Sequence, residues 1–381
     1  MELPIVSGGK VEIEIEGAKK IINLTRAHLE EDAGKSIHEG MAGTGVDLNR
    51  AGTPLLEIVS EPEISSAKEA VAYMKALHQI VTFLDVSDGN MSQGSLRCDA
   101  NVSVRKKGDK ELGTRTEIKN INSFRFIEKA INYEIERQID VIESGESVTQ
   151  ETRLYDSIKN ETRPMRSKEF ANDYRYFPDP DLLPVMISDE EIEEIKATFP
   201  EMPKDKFARY QSEFNIPEND AQIISSSKNL ATFFEECMEN VKDAKLLSNI
   251  MIGDISSLLN KENIEIADSK LSTKNVSELV NLVTEGVISG KIAKTVLEET
   301  WDSGLSPIEI VESSGLKQID DDDEIERIID QIISEHPDQV SAYKGGKDKL
   351  FGFFVGQIMK ATQGKANPAS ANKILKDKLD N

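Results

Sequence analysis

The chain has 381 residues, 38% hydrophobic and 30% charged, with a formal net charge of −23. That length accommodates about two or three domains, and its content of Leu, Ile, Val and Phe excludes wholesale disorder. The acidic balance excludes a general nucleic-acid coat protein, which would be basic overall, but not a local basic patch. Cys98 and Cys237 lie far apart with no CxxC pair, so neither a zinc site nor a disulfide framework is indicated, and a reducing, cytoplasmic setting fits. No apolar run approaches the ~18 residues of a membrane span. The opening MELPIVSGGKVEIEIEG lacks the basic and apolar regions of a signal peptide.

In chain order, residues 11–16 (VEIEIE) alternate as a strand, and 21–31 (IINLTRAHLEE) follow after Gly17, so the two are expected to pair as a hairpin. The second strand ends in a polar knot of Arg26, His28, Glu30, Glu31 and Asp32. The loop GMAGTG (40–45) lacks the Lys-Ser/Thr sequel of a P-loop and reads first as a surface connection. Pro54 and Pro62 bracket a strand on which Leu56 and Ile58 face one way and Glu57, Val59 and Glu61 the other. Glu57 is open between a site role and pairing with an arginine; Glu61 sits at the exposed end. Ser66-x-x-Glu69 reads as a capping box, opening a helix with Ala70, Met74, Leu77, Val81 and Leu84 on its apolar stripe. His78 on that helix reads as packing or surface.

Residues 94–122 are then expected to form a hairpin. Leu96, Cys98, Ala100, Val102 and Val104 alternate with Arg97, Asp99, Asn101, Ser103 and Arg105, the period of a strand with one face on a core. Gly108-Asp109 marks the turn, and in the returning arm Arg115, Glu117 and Lys119 share a face. A sheet surface bearing Asp, Asn, Glu, Lys and Arg is unusual. Ser123 caps a second helix, Phe124–Glu143, with a stripe of Ile127, Ala130, Ile131, Ile135, Ile139 and Ile142, ended by Gly145. The order strand, helix, hairpin, helix predicts an α+β layer of antiparallel sheet covered on one face by helices and free on the other for a ligand. QETRLY (150–155) and DYRYFPDPDLLP (173–184) close this part. The prolines make the second stretch extended and stiff. Its Tyr174, Arg175, Tyr176 and Phe177 suit either base stacking and phosphate clamping or a strap over the core.

From Asp189 onward only helical periodicity is evident, with breaks at 215–217 and 300–307. An acidic run at 320–324 precedes a further helix, where it favours the N-terminus. Residues 341–381 hold eight lysines against three aspartates, around FGFFVG (351–356). Glycine-lysine loops on a small helical unit suit contact with a phosphate backbone; a solvated lysine face is the plainer alternative.

LEEDAGKS (29–36), DLNRAGTPLLEIVSEPEI (47–64), GSLRCDANVSVR (94–105), EIKNINSF (117–124), QETR (150–153), DYRYFPDPDLLP (173–184) and GQIMKATQGKANP (356–368) resemble, in the same order, the B subunit of the bacterial aspartyl/glutamyl-tRNA amidotransferases. The resemblance implies a cradle-shaped catalytic domain distantly like glutamine synthetase (1–194), a helical domain (195–308) and a small helical tail that contacts tRNA (309–381). It implies ATP and Mg²⁺ as cofactors for activating the side-chain carboxylate of Glu-tRNA(Gln) or Asp-tRNA(Asn). The partners it implies are an amidase, the A subunit, which supplies ammonia from glutamine, and the small C subunit, which wraps the pair in a heterotrimer. Carried over residue by residue, Glu31, Glu57, Asp99 and Glu117 form the acidic set around Mg²⁺ and phosphate, with Arg97, Asn101 and Lys119 as phosphate or substrate contacts. The family pattern opens with a strand of the type IGLEVHVEL. This chain is expected to lack that strand with roughly the first ninety residues of the pattern, which would leave the sheet with an exposed edge. Two readings follow: one component of a carbon–nitrogen ligase, or a shortened, non-catalytic module that binds tRNA and the amidase. A free amino-acid ligase of the glutamine-synthetase type fits less well, because it has no use for a basic helical appendage.

Overall fold

The computed structural model describes residues 4–37, 43–165, 180–181, 183–316, 322–362 and 364–380. The chain divides into two compact units, Met1–Pro200 and Glu201–Asn381. The aromatic stretch at 174–177 and residues 40–42 of the 40–45 loop lie outside the described residues.

The first unit opens with β1 (Val6–Ser7), β2 (Lys10–Ile15) and β3 (Ala18–Glu31). Glu16 and Gly17 both have positive φ, +53° and +81°, between paired Ile15 and Ala18. That geometry gives a two-residue hairpin turn whose twist matches the strands. The short β4 (Lys35–Ile37) and β5 (Gly45–Asp47) pair with each other, and β6 (Pro54–Ser60) runs antiparallel to the far half of β3. Helix α1 (Ala67–Phe83) follows. Ser66 caps it by accepting from the Glu69 N–H, but the expected reciprocal bond is absent. The Glu69 carboxylate accepts instead from the Ser65 N–H at 2.6 Å and from Lys20 at 2.7 Å. Both donors fall on one carboxylate oxygen, and the charged bond from Lys20 ties the helix start to β3.

Next come β7 (Cys98–Val102), β8 (Thr116–Ile121), α2 (Phe124–Glu143), β9 (Thr152–Asp156), β10 (Glu161–Pro164) and, nearer the end of the unit, α3 (Asp189–Ala197). The second sheet runs β10-β9-β8-β7. Its fold is α+β as expected, but not wholly antiparallel, because β8 and β9 are parallel. A 20-residue helix between them returns the chain to the end of the sheet where β8 began. One apolar core holds the unit: Val11, Ile13 and Ile22 from the first sheet, Val102, Ile118 and Ile121 from the second, with α1 and α2 packed on both. Each such side chain, removed from water, contributes about 1.5–3 kcal/mol. The opposite face of the second sheet carries the polar residues.

In the second unit no strand occurs among the described residues. Helices α4 (Pro203–Glu213), α5 (Glu218–Ser226), α6 (Lys228–Met238), α7 (Ala244–Ile250), α8 (Ser256–Glu262), α9 (Thr273–Thr284), α10 (Gly290–Ser303) and α11 (Pro307–Ser313) enclose one core. A π-helical turn, Met251–Ile255, joins α7 to α8. Ile310 and Val311 of α11 belong to this core. Helices α12 (Asp322–Glu335), α13 (Pro337–Lys344), α14 (Leu350–Ala361) and α15 (Pro368–Asp380) enclose another around Ile325, Ile329, Phe354, Ile358 and Leu375. The glycine-lysine segments at 345–347 and 364–365 fall in the loops on either side of α14, with Gly346 and Gly364 at positive φ, +95° and +80°. Gly352 and Gly356 lie inside α14, because Phe354 and Ile358 at i, i+4 bury one face of a helix there.

Candidate active site

The polar face of the second sheet is set by a bulge. Val102 pairs with Thr116, Asn101 with Glu117 and Ala100 with Ile118, but Cys98 pairs with Ile121. The extra residue is taken up at Asn120, which has φ +67° and whose side-chain amide donates to the Tyr155 carbonyl at 3.0 Å. Asp99 therefore stands opposite Lys119, whose Nζ lies 2.8 Å from the Asp99 carboxylate and 3.5 Å from that of Glu117. Burial lowers the Lys119 pKa, but the two carboxylates outweigh it and hold the ammonium above its ordinary value. The parallel β9 places Thr152 beside Glu117, and its hydroxyl donates to the Glu117 carboxylate at 2.8 Å. Asn101 is exposed on the same face. Burial, with Asp99 adjacent, pushes the Cys98 thiol up to about 12, so it is protonated at neutral pH and is no nucleophile.

Glu31 and Glu57 stand on the first sheet, not on this face. Glu57 accepts from Arg26 at 3.0 Å and pairs across the ladder with His28, whose buried Nδ1 makes no hydrogen bond among the described residues. Glu31 is exposed at the end of β3, opposite Pro54. The next residue, Asp32, connects the sheets. One of its oxygens receives Arg50 Nε and Arg97 Nη2, each at 2.8 Å, and the other the Ala33 N–H at 3.0 Å. Burial raises the Asp32 carboxyl pKa, but the bonds from Arg50 and Arg97 hold it below its ordinary value. Arg97 immediately precedes β7, so this ion pair joins the end of β3 to the start of the strand carrying Asp99.

Among the described residues, no three His, Cys, Asp or Glu side chains converge to hold a metal ion. The face offers a pair, Asp99 and Glu117, with Lys119 between them. Mg²⁺ takes oxygen ligands, keeps several waters and often uses one or two carboxylates plus substrate phosphates. The oxygen-only chemistry of this pair fits such an ion. A surface groove in the second unit is lined by Glu236, Glu239, Glu278 and Glu285, and its charge suits an anion poorly.

The chain matches the GatB/GatE catalytic domain over residues 1–193 and the GatB domain over residues 232–379. It belongs to the GatB family. It is 56% identical over 382 residues to the B subunit of the aspartyl/glutamyl-tRNA(Asn/Gln) amidotransferase of Alkalilimnicola ehrlichii, covering 100% of this chain and 80% of that protein. Its identity to the protein of that name from Thioalkalivibrio sulfidiphilus is 55% over 381 residues, 99% of this chain and 80% of the relative. To that of Pseudomonas syringae pv. tomato it is 55% over 386 residues, again 100% and 80%.

Beneath the polar face, this GatB-family chain carries a buried network that the sequence reading missed. Glu134 of α2 is 0% exposed. It accepts from Arg137 at 2.6 Å, Gln138 at 3.0 Å and Thr162 at 2.9 Å, with Arg153 Nε 3.6 Å away. Gln138 also donates to the Val102 carbonyl and Thr116. Arg153 and Thr152 alternate on β9, so one fixes the strand from below while the other holds Glu117 above. The expected stripe through Ile139 and Ile142 is corrected accordingly: both are 40% exposed. Glu134 and Gln138, continuing the spacing of Ile127 and Ile131, take the buried positions. Polar residues in step with an apolar helical repeat were the available signal.

Proposed function

We propose that this chain is the B subunit of a tRNA-dependent amidotransferase. In this reading it uses ATP and Mg²⁺ to phosphorylate the side-chain carboxylate of Glu-tRNA(Gln) or Asp-tRNA(Asn). The product is amidated with ammonia that the amidase partner releases from glutamine, and a third, small partner completes the heterotrimer. The cradle shape, the glutamine-synthetase likeness and the cytoplasmic setting belong to the same reading. What carries it is identity above half, along the whole chain, to proteins named as this component of the enzyme.

The chemistry of the face agrees. Phosphoryl transfer needs positioning and charge neutralisation more than a protein nucleophile. Asp99 and Glu117 are the residues to hold Mg²⁺, with Glu57 and Glu31 supplying carboxylates from the neighbouring sheet. The ion would neutralise charge on the phosphates. Lys119, held protonated, and Arg97 offset triphosphate charge, and Asn101 supplies an amide for orientation. Thr152 fixes the rotamer of Glu117.

The test is ATP-dependent formation of Gln-tRNA from Glu-tRNA(Gln), with the amidase and the small third partner present. Asp99→Asn or Glu117→Gln should abolish transamidation and leave tRNA binding within about twofold. Near-normal turnover by either variant removes that residue from the site. No turnover by the unaltered chain, with tRNA binding intact, establishes the alternative of a non-catalytic module that binds tRNA and the partner chains. That alternative draws on the spread of the four acids over two sheets.

A further inference from the structure

We infer that Arg50 is a phosphate-contacting residue for the nucleotide, paired with Arg97 and held in place by Asp32. Arg50 lies in the turn after β5, and sequence reasoning gave it no role. Both guanidinium groups converge on one oxygen of Asp32, at 2.8 Å each. The Asp32 side chain is 10% exposed, whereas Arg50 and Arg97 are 42% and 51% exposed. The carboxylate is therefore the buried partner, and the two cations project from it toward solvent.

Its acceptors are accounted for by Arg50, Arg97 and the Ala33 N–H. Arg50 Nη1 donates once more, to the Gln93 carbonyl at 3.2 Å. The remaining N–H groups of both forks make no further hydrogen bond among the described residues. Asp88 also feels Arg50, but its carboxylate is committed to the Asn90 N–H and Ser95. Two arginines on one carboxylate leave one positive charge, and planar N–H pairs suit the oxygens of a phosphate. Arg97 directly precedes the strand that carries Asp99, which puts this cationic seam beside the proposed metal pair. Gly94 stays open to that approach: its φ is +79°, and a Cβ there would lie 3.4 Å from Arg50 Nη1.

The ligand class is a nucleoside triphosphate, bound through its phosphate oxygens. The inference rests on the nucleotide-using reading above. The same chemistry is present in the tRNA backbone, so the two sources are measured separately.

The experiment is equilibrium binding by the chain assembled with its amidase and small partners, with ATP in one series and Glu-tRNA(Gln) in another. Arg50→Ala should weaken ATP binding tenfold or more, and Arg50→Lys, which keeps the charge but not the fork, by a smaller factor. Asp32→Asn, which frees both arginines, should shift ATP affinity in the same direction. In turnover Arg50→Lys should raise KM for ATP with kcat unchanged. Binding of tRNA should stay within twofold throughout. ATP affinity within twofold of the unaltered protein in Arg50→Ala, or a loss confined to tRNA, overturns the inference. Failure of the unaltered assembly to bind ATP at all overturns the nucleotide-using reading itself.

Discussion

Glu134 is where charge and burial are most closely coupled in the first unit. A carboxylate with no solvent exposure survives because Arg137, Gln138 and Thr162 all donate to it. Burial raises its pKa, yet those bonds prevail and hold it below the ordinary value of 4.5. The unfolded chain therefore takes up the proton first as pH falls. The stabilisation is fully present above the unfolded value and is lost as pH drops through the lower folded one. Urea unfolding of the protein below pH 4.5 should show this acid limb, and Glu134→Gln should flatten it. Glu134→Ala should cost about 3–5 kcal/mol, because it strips Arg137, Gln138 and Thr162 of their shared buried acceptor, while Arg153 keeps Glu151. A change below about 1 kcal/mol would show that the network relaxes around the gap. The exposed pair Lys68–Glu16, at 3.0 Å, contributes little by comparison, since water and salt screen it.

The elements show how packing sorted the periodic signals. Helices α1 and α2 begin at Ser66 and Ser123, both of which accept a bond from the N–H three residues on. These starts were readable because capping is local chemistry. The α2 stripe was readable only in its first two turns; beyond them the sheet presents Arg153, Thr162 and the Val102 carbonyl, and polar side chains fit that surface better than isoleucine. The alternation of β7 and β8 gave the correct polar face. The bulge that aligns Asp99 with Lys119 had no local signature beyond an asparagine able to adopt positive φ. His78 is held by packing: it meets Phe124 edge-on at 5.7 Å and backs onto Gly89. Gly89 has φ +68°, and a Cβ there would sit 2.5 Å from His78 Nε2. Gly89→Ala should cost about 1–3 kcal/mol from backbone strain alone, read as a lower melting temperature. An unchanged melt would mean that the α1–β7 connection refolds around the methyl group.

At the scale of the whole molecule, two compact units carry three apolar cores. The lysine-rich end is not an appendage that can be removed cleanly. Residue 341 falls inside α13, and cutting there strips Phe354, Leu375 and Leu379 from the core they complete. Charge reversal is the better probe of tRNA contact. Lys378 is engaged by Glu326 at 2.6 Å and Asp330 at 3.0 Å, whereas Lys344, Lys347 and Lys349 are exposed. Changing those three to glutamate should leave the helical melt unaltered. It should also weaken tRNA binding and lower the salt slope by about one for each phosphate that is no longer neutralised. An unchanged salt slope would identify them as a solvated face.

By itself the sequence determined the α+β then all-helical order, most helix starts, the two-faced hairpin and the family, because capping, periodicity and long motif runs are local properties of the chain. Only the tertiary structure decided which charges meet. Glu57 pairs with Arg26 across a ladder, Lys119 sits between Asp99 and Glu117 through a bulge, and Asp32 draws Arg50 and Arg97 together across two sheets. Apart from Glu117 and Lys119, two residues apart on one strand face, those partners are separated by many residues, and what sets them is strand register and desolvation, neither of which leaves a pattern along the chain.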